Sequence, residues 1–241
     1  MQIQTCFSPS QYPLFHAEDS IVVVTDILRA TSAMAAALDF GVEKIIPVAS
    51  VAEAIEYKNK GYIVAAERDG KIVDGFNLGN SPFDYMDETL KNKTIVISTT
   101  NGTKAISAAQ KAYKVVIGAF INIDVVANYL AAEKRNVVIL CAGWKNKFNL
   151  EDTLFAGALA NQLINKNNFD TDCDSTFAAM HLHDIAKDNL FQFLEKSSHR
   201  NRLKNLNLEK DIAYCLTPNS CISLPILVGN EIVNFATKII V

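Results

Sequence analysis

Ile21-Val-Val-Val-Thr25, then Asp26-Ile-Leu-Arg29, then Ala30-Thr-Ser-Ala-Met-Ala-Ala-Ala-Leu-Asp39 with Gly41 close behind, is the stretch that decides the fold. The valine-rich run is too short for a helix and reads as a buried strand. The alanine-rich run after it reads as a helix, with Gly41 as its stop. Asp26 and Arg29 fall in the turn between them, at the carboxyl end of the strand. Outward from this unit the alternation repeats. Residues 44–48 read as a strand, and Ser50 with Glu53 forms a capping box that opens a helix to about Asn59, closed by Gly61. Further strands are expected at 62–66, 94–98, 114–119 and 136–140, with helices near 103–111, 124–134 and 151–164.

Strand–helix alternation of this kind argues for an α/β fold, a mainly parallel sheet with helices on both faces. The C-terminal third is less regular. Residues 175–196 read as a helix and 198–206 as a short one; 211–216, 223–228 and 231–235 read as strands, the last two joined as a hairpin at Gly229-Asn230. A single domain over 1–241 is the economical reading, with residues 165–175 as a candidate subdomain boundary. The segment 67–85 (ERDGKIVDGFNLGNSPFDY) breaks the pattern: it is polar, holds three glycines and has little periodicity. Long irregular loops in compact domains are usually functional.

Composition narrows the function. The 241 residues are 49% apolar and 20% charged with a net charge of −3, which lacks the basic surplus of a nucleic-acid binder. Apolar runs such as 21–24 and 137–142 are far short of a membrane span, and the N-terminus lacks a signal-peptide pattern. Five scattered cysteines without a C-x-x-C pair read as free thiols in a reducing, cytoplasmic setting. His16, His181, His183 and His199 form no zinc pattern, and His181 and His183 read as non-ligands.

In open parallel sheets, ligands bind beyond the carboxyl ends of the strands. Asp26 and Arg29, Glu67 and Arg68, Thr99-Thr-Asn-Gly-Thr103, Cys141-Ala-Gly143 and Glu151-Asp152 all occupy such positions. Each has a plain alternative: Asp26 as a helix cap, Glu151 and Asp152 as complements to a helix dipole, the arginines as surface residues. The Thr99–Thr103 loop suits an oxyanion, since glycine permits close approach and a helix N-terminus offers free N–H groups. It matches neither a P-loop nor a dinucleotide fingerprint. The carboxylates suit Mg²⁺, which takes oxygen ligands and needs only one or two carboxylates beside a substrate phosphate.

In this order, Asp26-Ile-Leu-Arg-Ala-Thr-Ser32, Glu67-Arg68, Gly75-Phe-Asn-Leu-Gly-Asn-Ser-Pro82, Thr99-Thr-Asn-Gly-Thr103 and Cys141-Ala-Gly with Glu151-Asp152 resemble the 2-phosphosulfolactate phosphatase family over about residues 20–160. A weaker likeness extends to Asp211-Ile212 and Cys215. The resemblance implies a three-layer α/β/α fold particular to that family. It also implies a magnesium-dependent phosphatase that converts 2-phospho-3-sulfolactate to sulfolactate and phosphate, a step towards coenzyme M. The positions that match its motifs are Asp26, Arg29, Glu67, Arg68, Asn77, Gly79, Asn80, Ser81, Thr100, Asn101, Gly102, Glu151 and Asp152. Trp144 and Lys147 depart from its usual pattern, and Trp144 near the pocket would alter its shape.

The expected machinery follows. Asp26, Arg29, Arg68 and Glu151 are the catalytic candidates. Asp26 and Asp152 are expected to hold Mg²⁺, with Glu67 or Glu151 completing the shell directly or through water. Arg29 and Arg68 are expected to clamp the small anionic phosphate substrate, together with Asn77, Asn80, Ser81, Thr100, Asn101, Gly102, Thr103 and Gly143. The nucleophile is left open between water and an aspartate. Cys141 with Lys147, spaced like a cysteine-phosphatase loop, is a second mechanism, although lysine lacks the bidentate grip of arginine. A non-catalytic phosphometabolite-binding module is the rival from another class. Apolar strands near the C-terminus suggest an edge for association into a homo-oligomer.

Overall fold

The computed structural model describes residues 1–15, 17–204, 206 and 208–236; His16, and Asn205 within the expected short helix, lie outside them. The chain forms a three-layer α/β/α fold around one ten-stranded, mostly parallel sheet. Its first half runs β1 (Ile3–Cys6), β2 (Ile21–Thr25), α1 (Ala30–Asp39), β3 (Lys44–Pro47), α2 (Val51–Asn59), β4 (Ile63–Arg68) and the short β5 (Lys71–Ile72). It continues with β6 (Thr94–Ser98), α3 (Gly102–Ala108), β7 (Lys114–Ile117), α4 (Ile123–Glu133), β8 (Val137–Cys141) and α5 (Leu150–Asn167). The remainder is α6 (Asp174–Ala186), α7 (Leu190–Phe193), α8 (Ser198–Lys204), α9 (Glu209–Cys215) and the hairpin β9 (Pro225–Val228) and β10 (Glu231–Asn234).

The strand order is β1-β8-β2-β7-β9-β10-β3-β6-β4-β5. The hairpin is therefore central, antiparallel to β7 on one side and to β3 on the other. Its N–H and C=O groups are paired on both flanks, so these apolar strands are not the exposed edge expected from the sequence. The edges are β1 and β5 instead.

Strand alternation divides the core. Ile21, Val23, Val116 and Ile139 join one hydrophobic cluster, and Val22, Val24, Val115, Ile117 and Leu140 join the other. The second cluster also takes Ile45, Ala65, Ile95 and Ile97 from the far arm of the sheet. Helix α1 is buried from Ala30 through Leu38, the expected fate of a helix apolar on all sides. In a flat sheet β2 and β6 would stand five strand spacings, about 24 Å, apart. Yet a Cβ added at Gly102, just after β6, would meet Ala30 Cβ at 2.7 Å and Asp26 Oδ2 at 2.9 Å. The sheet curls and brings its two arms to one corner.

Two sequence expectations need correction, and one strand lies where the sequence was read for no element. Residues 211–216 form most of helix α9 rather than a strand: Asp211, Ile212, Cys215 and Leu216 are buried at helical spacing, with Glu209 and Asp211 in the first turn. The helix expected over 175–196 breaks near Asn189, whose side chain caps α7 by accepting from Gln192 N at 2.9 Å. The N-terminal residues, read only for the lack of a leader, supply β1, which pairs with β8 in register Ile3 to Val137.

Candidate active site

Four strand ends feed one pocket. Asp26 follows β2, Glu67 lies near the end of β4, Thr100 and Asn101 follow β6, and Trp144 follows β8; Arg29, Asn80 and His199 complete the wall. Charged and amide side chains share the wall with Leu28, Leu203 and Trp144.

Asp26 is 7% exposed; no side-chain donor reaches its carboxylate among the described residues, the backbone N–H of Ala30 is turned toward it, and its main chain is tied to Thr31. Burial, with Glu67 and Glu151, pushes its pKa up to about 7 against the pull of His199 and the Ala30 N–H. Glu151, in the first turn of α5, is 1% exposed. Its Oε1 meets Nδ1 of His199, while its Oε2 is buried without a partner. Asp152 is its neighbour in sequence and its opposite in bonding. Oδ1 accepts from Ile27 N at 2.9 Å, and Oδ2 from Gly143 N at 3.1 Å and Asn149 Nδ2 at 2.9 Å. Burial, then Asp26 and Glu151, hold its pKa well above the usual carboxylate range.

Glu67 works as a junction. It accepts from Gly70 N, from Asn80 Nδ2 at 3.2 Å, from Thr100 N at 3.2 Å and from the Thr100 hydroxyl at 3.3 Å. Three loops are thereby pinned to one carboxylate. Gly102 earns its place by proximity, since any side chain there would collide with Asp26.

The two expected arginine clamps differ. Arg29 lines the pocket, but its Nη1 is paired with the buried Asp211 and its Nη2 donates to Gly70 O at 3.2 Å. Arg68 donates to Glu67 O and, at 2.9 Å, to Ser98 Oγ, and it does not line the pocket. Thr103 exchanges bonds with Thr99 as a cap, Thr103 N donating to Thr99 Oγ1 at 3.1 Å. Asn101 lines the pocket and accepts from Lys145 N at 3.2 Å. Asn77 is exposed beside Phe76 in a separate groove, and Ser81 precedes the 3₁₀ turn at 82–85. Gly143 holds Asp152 from a left-handed conformation, φ +62°.

Cys141 is fully buried at the end of β8, and burial, then Asp152, pushes its thiol well above the ordinary value. Lys147 is exposed and sits opposite Trp144 in a tight turn. This is the reverse of an activated thiolate beside a cation.

With this corner in view, the match to known proteins is specific. The family model for 2-phosphosulpholactate phosphatase covers residues 6–230. The chain belongs to that family. Proteins named probable 2-phosphosulfolactate phosphatase from Caldanaerobacter subterraneus, Thermotoga maritima and Carboxydothermus hydrogenoformans are 38%, 36% and 39% identical to it. The matches span 81%, 90% and 91% of this chain and 83%, 93% and 90% of those relatives. The family is one of phosphoric monoester hydrolases. Among the described residues no helix is long and apolar enough to cross a membrane.

Two members of this phosphatase site were not singled out from the sequence. Asp211 entered only as a weak likeness, placed on a strand; helix α9 turns it onto Arg29. His199 belongs to a set of four histidines that form no zinc pattern, and its partner Glu151 lies 48 residues away in the chain. Its ring also lies 5.6 Å from that of Trp144, which does line the pocket as the sequence suggested.

Proposed function

We propose that this phosphatase hydrolyses 2-phospho-3-sulfolactate to sulfolactate and inorganic phosphate with Mg²⁺ as cofactor, a cytoplasmic step towards coenzyme M. The observation that carries the reading is the Asp26 carboxylate: buried, without a side-chain donor, and facing a pocket that also holds Glu67, Arg29 and His199. A carboxylate so placed is costly without a cation.

The residues fit a magnesium ion. Among the described residues no group of three or more His, Cys, Asp or Glu side chains forms a ready-made metal centre. Magnesium is commonly held by one or two carboxylates plus waters and substrate phosphate. Asp26 and the partnerless Oε2 of Glu151 are the residues that would hold it; the oxygens of Glu67 and Asp152 already accept several donors. When bound, the ion supplies charge neutralisation at the phosphoryl oxygens. Arg29, held by Asp211, keeps a cation at the same wall and orients the phosphoryl group. His199, with Nδ1 on Glu151, is placed to hold a proton at Nε2 for the departing secondary alkoxide.

Phosphate release from phosphosulfolactate, with Mg²⁺ and then with excess EDTA, tests the reading. Release that stops with EDTA is expected. Binding without turnover by folded protein in Mg²⁺ would overturn it in favour of a binding module.

A further inference from the structure

The pocket's expected cations are largely committed: Arg29 to Asp211, and Arg68 to Glu67 and Ser98. A substrate carrying phosphate, carboxylate and sulfonate needs positive charge beyond these. Helix α8 holds one arginine that is not committed. Nε and Nη2 of Arg202 are buried and have no hydrogen-bond partner, and no carboxylate is within ion-pair distance of it among the described residues. Its guanidinium carbon lies 4.1 Å from the ring centre of Trp144, a residue of the pocket wall. Lys145 also lies near that ring, at 5.1 Å, but its Nζ is paired with Asp69 at 3.4 Å.

Buried guanidinium donors left without acceptors destabilise the fold. Such a cost is expected where the partner is a ligand. Arg202 follows His199 by three residues, so both project from one face of α8, as their shared contact with Trp144 requires. His199 reaches in towards Glu151, and Arg202, beside Trp144, lies within the field of both Glu151 and Asp69. Trp144 thus carries the guanidinium at the wall of the pocket that Asp26 also lines.

We propose that Arg202 binds the sulfonate of the substrate and thereby sets specificity, an inference that rests on the phosphatase reading above. A guanidinium stacked on an indole offers two fork donors to a tetrahedral oxyanion of low charge density, and its weak hydration lowers the cost of pairing. Trp144 is then the shelf that fixes the fork rather than an obstacle to the substrate.

The test compares wild type with Arg202→Met and Arg202→Lys, first by turnover of phosphosulfolactate and 2-phospholactate in Mg²⁺, then by calorimetric binding of sulfolactate and lactate. For Arg202→Met the expected result is a loss of about 30- to 300-fold in kcat/KM on the sulfonate substrate, carried chiefly by KM, from one or two charge-assisted hydrogen bonds. On phospholactate the change stays within about threefold, and Arg202→Lys recovers part of the loss. Equal losses on both substrates, or none on either, would overturn the assignment; an equal loss places Arg202 on the phosphate, the carboxylate or the fold. Should wild type hydrolyse neither compound, the binding arm decides separately. Arginine-dependent binding of sulfolactate but not lactate would keep the assignment while the hydrolytic reading falls. Absence of sulfolactate binding by folded wild type would remove the assignment as well.

Discussion

Two corners of the pocket each present a carboxylate at the end of a strand, and they are built in opposite ways. Glu67, on β4, is wrapped by donors from Gly70, Asn80 and Thr100, so that its charge holds three loops together. Asp26, after β2, has only the backbone N–H of Ala30 turned toward it, and burial among other acids pushes its pKa up to about 7. A satisfied carboxylate is a brace; an unsatisfied one is a reagent or a ligand waiting for a cation. Neighbours in the chain repeat the contrast, since Asp152 is fully bonded and Glu151 keeps one oxygen bare.

The contrast breaks first at Asp26. Asp26→Asn should lower turnover at least about a hundredfold, on the scale of other transition-state charge stabilisers. The same variant should melt several degrees higher than wild type at pH 8 without added metal. The sign follows from the raised pKa. Asp26 keeps its proton in the fold and contributes full stability below about pH 4, where the unfolded side chain is protonated too. That contribution is lost as pH rises towards about 7 and does not change further above it. Melting curves from pH 4 to 8 should therefore show the gap between variant and wild type widening and then levelling. A constant gap, or near-normal turnover in the variant, would end the assignment.

Glu67→Ala should act on the fold instead. Removing a buried acceptor that serves several donors should cost roughly 2–4 kcal/mol in denaturant unfolding. An unchanged midpoint would show that Glu67 is not the brace. Gly102→Ala should cost about 1–3 kcal/mol, because its Cβ would meet Ala30 and Asp26 below van der Waals contact. Unchanged stability there would mean that the two arms of the sheet do not meet so closely.

Added Mg²⁺ sharpens the comparison further. It should raise the melting temperature of wild type by a few degrees at pH 8 and leave Asp26→Asn almost unmoved, since a ligand stabilises only the state that binds it. Equal shifts in both proteins would place the ion elsewhere. The smallest effect is expected from Cys141→Ser, with activity within about threefold of wild type, because the thiol is buried and held protonated. A collapse of activity in a stable Cys141→Ser protein would revive the thiolate mechanism.

Much of this was legible from residue order alone. Short valine-rich runs before alanine-rich ones fix parallel βα units, because strand length and helix period are local properties. Turns at the carboxyl ends of those strands locate Asp26, Arg29, Glu67, Thr100, Asn101 and Glu151 at one edge of the sheet, since topology sends every such turn to the same side. The family resemblance, too, was carried by the order of these motifs. Tertiary structure alone decided which of these groups is bare and which is bonded. Donors reach Glu67 and Asp152 from segments as far away as Ile27, 125 residues from Asp152, and nothing in either local sequence announces them. It also decided that the β9–β10 hairpin enters the middle of the sheet and that the sheet bends around α1. His199, Arg202 and Asp211 come from helices at the end of the chain and reach the pocket, the Trp144 ring and the Arg29 guanidinium respectively only because the curled sheet brings the strand ends beneath them. Their long-range contacts depend on packing, which no local pattern of spacing encodes.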